Sequence, residues 1–313
     1  MAALVEINHL TKRFSFLTAV DDISFGVDKG EVLGFLGPNG AGKSTTMKMI
    51  TGFLAPDGGK VRIGGVDIVD QAVAVKERIG YLPEGAPLYP DMTPAAFLKF
   101  VGTVRGFGGE ELRKRIHDTV DKVHLTSVLE QPIGTLSKGF KRRVGIAQAI
   151  LHDPEVLILD EPTDGLDPNQ KHEVRALIRN MAKDKAIILS THILEEVDAV
   201  CSRVIIVADG KIVADGTPAQ LEAKSPHHNA VTLVVSGVDH RHVQQQLEIL
   251  KGVASAQCVM QDSRVHCTVY PADANSILAA VSGIAREHSW NVEELHVQRG
   301  RLDDVFSAIT TNG

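Results

Sequence analysis

The chain has 313 residues, 43% of them hydrophobic and 23% charged, enough to bury one large core and leave residues for a second, smaller one. A net charge of -6 gives no electrostatic footprint for nucleic acid, which is not expected as a partner. Three cysteines, Cys201, Cys258 and Cys267, lack metal-ligand spacing and read as reduced thiols in a cytosolic setting.

In chain order, residues 1–14 lack the continuous apolar stretch of a signal peptide, which predicts a protein that stays inside the cell. Antiparallel-looking strands are expected at 5–10, 23–27 and 61–63, punctuated by turns at Gly58-Gly59 and Gly64-Gly65. An apolar strand at 32–36 leads into a helix at 44–51. Between Thr93 and Leu136 the strand signal disappears and helical spacing appears at 95–104 and 110–123, an insertion in an α/β core. Strand (155–159), helix (171–181) and strand (186–189) then alternate, as strands covered by helices on both faces do, so a largely parallel sheet is indicated. The longest apolar runs, such as 156–159 and 204–208, have strand length and fall short of the ~18 residues a spanning helix requires. Any membrane role therefore calls for another chain.

Past Gly216-Thr217-Pro218, the polar run Lys224-Ser225-Pro226-His227-His228 reads as a linker. The remainder spaces out as strand 231–235, helix 242–250, strands 254–260 and 265–270, helix 274–288 and strand 292–297. That βαββαβ order is the ferredoxin-like pattern, followed by a helix at 302–309. His266 beside Cys267 reads as an ordinary strand pair of residues. Two domains follow: 1–224, with a helical part at about 93–150, and 225–313.

The chemistry begins at Gly37-Pro38-Asn39-Gly40-Ala41-Gly42-Lys43-Ser44, which fits G-x-x-x-x-G-K-[ST] between an apolar strand and a helix. Glycines let main-chain N–H groups curl around phosphate oxygens, and the helix N-terminus adds partial positive charge. Lys43 is expected to hold the β- and γ-phosphates and Ser44 to place its hydroxyl on Mg²⁺. GTPases, kinases and ATPases all use such loops. Glu155-Val156-Leu157-Ile158-Leu159-Asp160-Glu161 narrows the choice, because a buried strand delivers two carboxylates at its end. Alternating side chains point in opposite directions, so Asp160 can join the Mg²⁺ shell while Glu161 polarises an attacking water. The pair argues for hydrolysis.

With both motifs in place, Leu136-Ser137-Lys138-Gly139-Phe140-Lys141-Arg142-Arg143 resembles the L-S-G-G-Q signature of ABC ATPases, and motif order and spacing resemble that family over about residues 4–220. The resemblance implies an α/β P-loop ATPase domain with antiparallel β and helical subdomains, here followed by the α+β ferredoxin-like domain. It also implies ATP with Mg²⁺, and a homodimer in which Ser137 and Gly139, at the start of a helix, meet the γ-phosphate held by a second subunit's loop. Other positions carry over. Phe14, or less favourably Phe16, resembles the aromatic that stacks on adenine; Thr45 continues the phosphate-binding loop; Asp167 resembles the loop that communicates across the dimer; His192, after Leu189-Ser190-Thr191, resembles the histidine that orients the attacking water.

Departures matter as well. Tyr81-Leu82-Pro83-Glu84 stands where the family usually has a Mg²⁺-sensing glutamine, so Glu84 is a candidate metal ligand that adds negative charge beside Asp160 and Glu161. Lys138 and Phe140 replace a glycine and the glutamine of the signature. The short insertion and single P-loop leave a transporter subunit, placed by analogy among exporters whose permease is a separate chain, at the cytoplasmic face of the membrane. Residues 85–93 lie where the family docks a permease helix. The competing reading is a soluble ATP-driven clamp whose tail binds a regulator.

Overall fold

The computed structural model describes residues 3–273 and 275–310; the helix start expected at Ala274 and the outermost residues of both domains, 1–2 and 311–313, lie outside the described residues. The chain divides into two compact units, one ending at Pro218 and one beginning at Ala219.

In the first unit the elements are β1 (Val5–Phe14), β2 (Leu17–Val27), β3 (Val32–Leu36), α1 (Lys43–Ile50), β4 (Gly58–Ile63), β5 (Val66–Asp67), α2 (Ala72–Glu77), β6 (Ile79–Leu82), α3 (Pro94–Val104), α4 (Gly109–Lys122), α5 (Lys138–Ile150), β7 (Val156–Asp160), α6 (Pro168–Ala182), β8 (Ala186–Thr191), α7 (Leu194–Val200), β9 (Arg203–Ala208) and β10 (Lys211–Gly216). Strands β2-β1-β4-β5 form an antiparallel sheet, and β10-β9-β3-β8-β7-β6 a second sheet that is parallel from β9 to β6. Every residue of β3, β7 and β8 is buried, the signature of strands covered on both faces. Apolar side chains of the two sheets share one core, where Phe25 and Phe35 meet at 5.5 Å between ring centroids.

Register decides where the chemistry can sit. Leu36 pairs with Thr191, Asp160 with Ser190 and Leu82 with Leu159, so β3, β6, β7 and β8 end side by side. The segments beginning at Gly37, Pro83, Glu161 and His192 all leave the sheet at that carboxyl edge, where open α/β sheets place their ligands. Helices start where capping side chains permit: Thr93 accepts from Ala96 N before Pro94 opens α3, and Asp167 accepts from Gln170 N before Pro168 opens α6. The Gly58-Gly59 turn is corrected: both residues open β4. Gly59 has φ +84°, and a Cβ there would overlap main-chain oxygens of His9 and Asn8 where β1 shifts register, a bulge rather than a turn.

The second unit carries α8 (Pro218–Glu222, whose first residue closes the first unit), β11 (Val231–Ser236), α9 (His240–Glu248), β12 (Val253–Gln261), β13 (Arg264–Pro271), α10 (Leu278–Glu287), β14 (Asn291–Val297) and α11 (Leu302–Thr310). Its antiparallel sheet runs β12-β13-β11-β14. Val231, Leu233 and Val235 alternate into a core shared with Val243 and Leu247 of α9, Val281 and Ile284 of α10, and Trp290.

The expectation of three reduced thiols is corrected here, because Cys258 and Cys267 form a disulfide and only Cys201 is free among the described residues. The cause is hairpin register. Asp262 and Ser263 both take left-handed φ values (51° and 62°), as a two-residue type I′ turn requires, and Gln261 then faces Arg264. Counting back along the ladder sets Cys258 opposite Cys267 at a Cα separation of 4.1 Å, the close spacing of a non-hydrogen-bonded pair.

Candidate functional site

Three glycines shape the loop between β3 and α1. A Cβ on Gly37 would overlap the carbonyl oxygen of Val207, and one on Gly42 that of Ala19; Gly42 also has φ +100° and Gly40 φ +84°. The chain can thus turn tightly under β9 and β2 and present its N–H groups outward at the start of α1. Lys43 follows and is buried, its Nζ donating to Gly37 O at 2.7 Å and Pro38 O at 3.1 Å. Burial pushes the Lys43 ammonium down from its ordinary range, while the carboxylates of Glu161, Asp160 and Glu84 act against that. Ala41 N closes the turn on Pro38 O at 3.2 Å.

Opposite this loop stands the end of β7. Asp160 is 1% exposed and accepts from Ser190 Oγ; Ser44 Oγ lies 3.4 Å from the same carboxylate oxygen. Glu161 departs from the alternation expected of a strand. Its φ of 50° is left-handed, its N–H donates to Ser190 O at 3.1 Å, and the reversal turns its carboxylate into the same cavity wall as Lys43 rather than to the opposite face. Glu161 Oε1 lies 3.0 Å from His192 Nδ1, while Oε2 is buried with no hydrogen-bond partner among the described residues. A buried carboxylate oxygen without a donor is placed to accept one from a water or substrate. Behind His192, Thr191 Oγ1 donates to Glu196 Oε2 at 2.8 Å, and burial pushes the Glu196 carboxyl up.

Lys43, Glu161 and His192 line a cavity of about 640 Å³, together with Phe14, Leu17, Ala19, Asn39, Gly40, Gly42, Ser44, Thr45, Glu84 and Asp164. Phe14 presents a half-exposed ring with Lys12 Nζ 5.6 Å from its centroid, whereas Phe16 is fully exposed and lies off the wall. Ser137, Gly139 and Asp167 do not line this cavity. Ser137 Oγ accepts from Phe140 N to cap α5, and Gly139 packs against the side chain of Gln170, whose N–H Asp167 receives at 2.9 Å. So the structure gathers the loop, Glu84, Asp160, Glu161 and His192 at one place and the other three residues at another.

Ser44, Asp160 and Glu84 offer a hydroxyl and carboxylates, the hard oxygen donors that suit Mg²⁺. Among the described residues no three His, Cys, Asp or Glu side chains form a self-contained metal cage. A Mg²⁺ ion keeps several waters and takes phosphate oxygens, so this donor set fits it. Sequence reasoning missed Ser190, Asp164, Leu17 and Ala19. Ser190 was detectable only through the pairing of β7 with β8, and Ala19 packs its carbonyl against Gly42, a contact any residue can make.

Residues 20–164 match the family model described as ABC transporter. Over 309 residues the chain is 32% identical to a linearmycin resistance ATP-binding protein of Bacillus subtilis, covering 98% of both chains. It is 38% identical to a Nod factor export ATP-binding protein of Paraburkholderia xenovorans, over 71% of this chain and 73% of that one. Among solved structures, an ATP-binding subunit of an ABC transporter superposes with a TM-score of 0.65 at 32% identity, covering 70% of this chain and 92% of the other. The cbiO1 protein of Clostridium perfringens, part of the ABC transporter complex cbiONQ, does so with a TM-score of 0.65 at 29% identity, over 72% and 92%.

Proposed function

The chain belongs to the ABC transporter family and is an ATP-binding, ATP-hydrolysing subunit, and on that premise we propose how its residues carry out the reaction and what the reaction drives. Main-chain N–H groups of residues 37–45 hold the phosphates, and Lys43 exchanges its loop carbonyls for β- and γ-phosphate oxygens. Phe14 stacks on the adenine. Ser44, Asp160 and Glu84 hold Mg²⁺, which when bound neutralises phosphate charge. Glu161 accepts a proton from the water that attacks the γ-phosphorus and displaces ADP, and His192, held against Glu161 Oε1, orients that water. The observation that carries this assignment is the buried Glu161 Oε2, an acceptor with no donor among the described residues, on the cavity wall shared with Lys43.

The site is completed by a second copy. Ser137 caps a helix N-terminus away from the cavity of its own chain, which supports its use, with Gly139, on a partner's γ-phosphate; Asp167 then communicates across the pair. ATP drives closure because it binds the closed pair better than the open one. Relatives named for Nod factor export and for linearmycin resistance support export as the work done, through a separate permease docked at residues 85–93. No described helix is long and apolar enough to cross a membrane, so membrane attachment falls to that permease, at the cytoplasmic face. The second unit is read as a ferredoxin-like accessory domain on the strength of its βαββαβ order and its strand arrangement.

Glu161→Gln tests the central role. It should retain ATP affinity, lower turnover by about 10²–10⁴-fold, and trap an ATP-bound dimer that co-purifies with a polytopic membrane protein. Turnover at the wild-type rate removes Glu161 from catalysis.

A further inference from the structure

Arg142 lies on α5, just past the Ser137 cap, and is 8% exposed. A guanidinium has five N–H donors, and here they reach five main-chain oxygens. Nε donates to Pro162 O at 3.0 Å; Nη1 to Pro83 O at 3.3 Å and Glu84 O at 2.7 Å; Nη2 to Asp160 O at 2.7 Å and to Glu161 O. Among the described residues no carboxylate forms an ion pair with it. Its charge is therefore not spent on a partner side chain but on two stretches of backbone, the turn after β7 and the loop after β6.

Each stretch carries a residue of the site. Glu161 sits in the left-handed region, a strained conformation for a non-glycine residue. Its own carbonyl and those on both sides of it are held by the Arg142 fork. Glu84 is held by its carbonyl while its side chain faces the cavity. The base of the fork belongs to the helix that Ser137 opens. We propose that Arg142 is a positioning residue for hydrolysis: it locks the Glu161 turn and the Glu84 loop to the signature helix α5, so that the three move as one body. The inference rests on the reading of Glu161 as the group that takes the water proton. It adds that the orientation of Glu161 is set from α5, the element that also faces a second subunit in that reading.

The test uses the full chain with Arg142→Gln and Arg142→Lys, measuring ATP affinity with Mg²⁺ and steady-state hydrolysis separately. Gln offers two donors and Lys three in place of five. For Arg142→Gln, kcat should fall at least tenfold while the ATP Kd stays within threefold, because the P-loop is not touched; Arg142→Lys should recover part of kcat. A residue needed only for packing would lower affinity and turnover together, and that result overturns the proposal, as does a kcat within twofold of wild type. Should Arg142→Gln fail to fold, Arg142→Lys decides alone by the same split, with unchanged kcat refuting it. Glu161→Gln measured alongside separates the two readings. Normal turnover in that variant removes the Glu161 role and this inference with it, whereas a silent Glu161→Gln beside active Arg142 variants removes only the inference.

Discussion

His152, two residues beyond α5, should make the first unit acid-sensitive in a narrow window. Its Nε2 donates to Ile79 O at 3.0 Å, tying the end of the signature helix to the start of β6, while Nδ1 is buried with no partner among the described residues. Protonation would place an N–H on Nδ1 with nothing to receive it. Burial, then the nearby Arg105 guanidinium, hold the imidazole neutral down to about 4, against the opposing bond to Ile79. The unfolded chain takes its proton near pH ~6.5, so as the pH falls the unfolded state gains protons first. The contribution is fully present above pH ~6.5, declines as the pH drops toward 4, and levels off below. The interval from ~6.5 down to about 4, at ~1.36 kcal/mol per pH unit, sets an upper limit of about 3.4 kcal/mol, and since the ring is partly exposed about half of that is expected. Urea unfolding of wild type and His152→Gln at pH 7.5 and 4.5 measures it. Gln can keep the bond to Ile79 but does not titrate, so wild type should lose about 1–2 kcal/mol more than the variant between the two pH values. Equal losses refute the reasoning.

Gly42→Ala should weaken ATP binding more than tenfold, since its Cβ overlaps Ala19 O and φ is +100°; Gly40→Ala, which is strained by its φ of +84° but meets no overlapping atom, should cost less, and equal losses in a nucleotide titration would count against the loop geometry. Thiol titration of the chain unfolded without reductant should find one free thiol, Cys201, and three would contradict the Cys258–Cys267 bond. Replacing both bonded cysteines by Ser should lower the stability of the second unit by about 2–3 kcal/mol, the value for a loop of this length, readable through Trp290 fluorescence.

What was legible from residues alone shares a physical character. The phosphate-binding loop and the α5 start at Ser137 are local devices, in which neighbouring residues supply the conformational freedom or the cap, whereas the helix expected at 171–181 begins earlier, at the Asp167 cap. Their chemistry survives without knowledge of what lies across the sheet. The Cys258–Cys267 bond depends instead on Asp262-Ser263 adopting a turn for which Asn-Gly would have been the plain signal, and one residue of slippage would have parted the sulfurs. Glu161 illustrates the same limit within the site. Strand alternation sends it away from Asp160, and only the left-handed turn after β7, pinned to Ser190 by its own N–H, brings both carboxylates toward Lys43.

Arg142 shows why such a turn stays hidden. Its acceptors are carbonyl oxygens of Pro83, Glu84, Asp160, Glu161 and Pro162, and a carbonyl has no residue type. Side-chain chemistry can be counted along a chain, but a cation buried against main chain is visible only once β6 and β7 lie side by side and α5 crosses their ends. The residues proposed to perform hydrolysis are therefore those a motif reveals, while the group proposed to orient them works through atoms common to every residue. A substitution at Pro83 or Pro162 that preserves the backbone path should leave Arg142 satisfied and the site intact, whereas a change at Arg142 itself removes donors that no neighbouring side chain replaces.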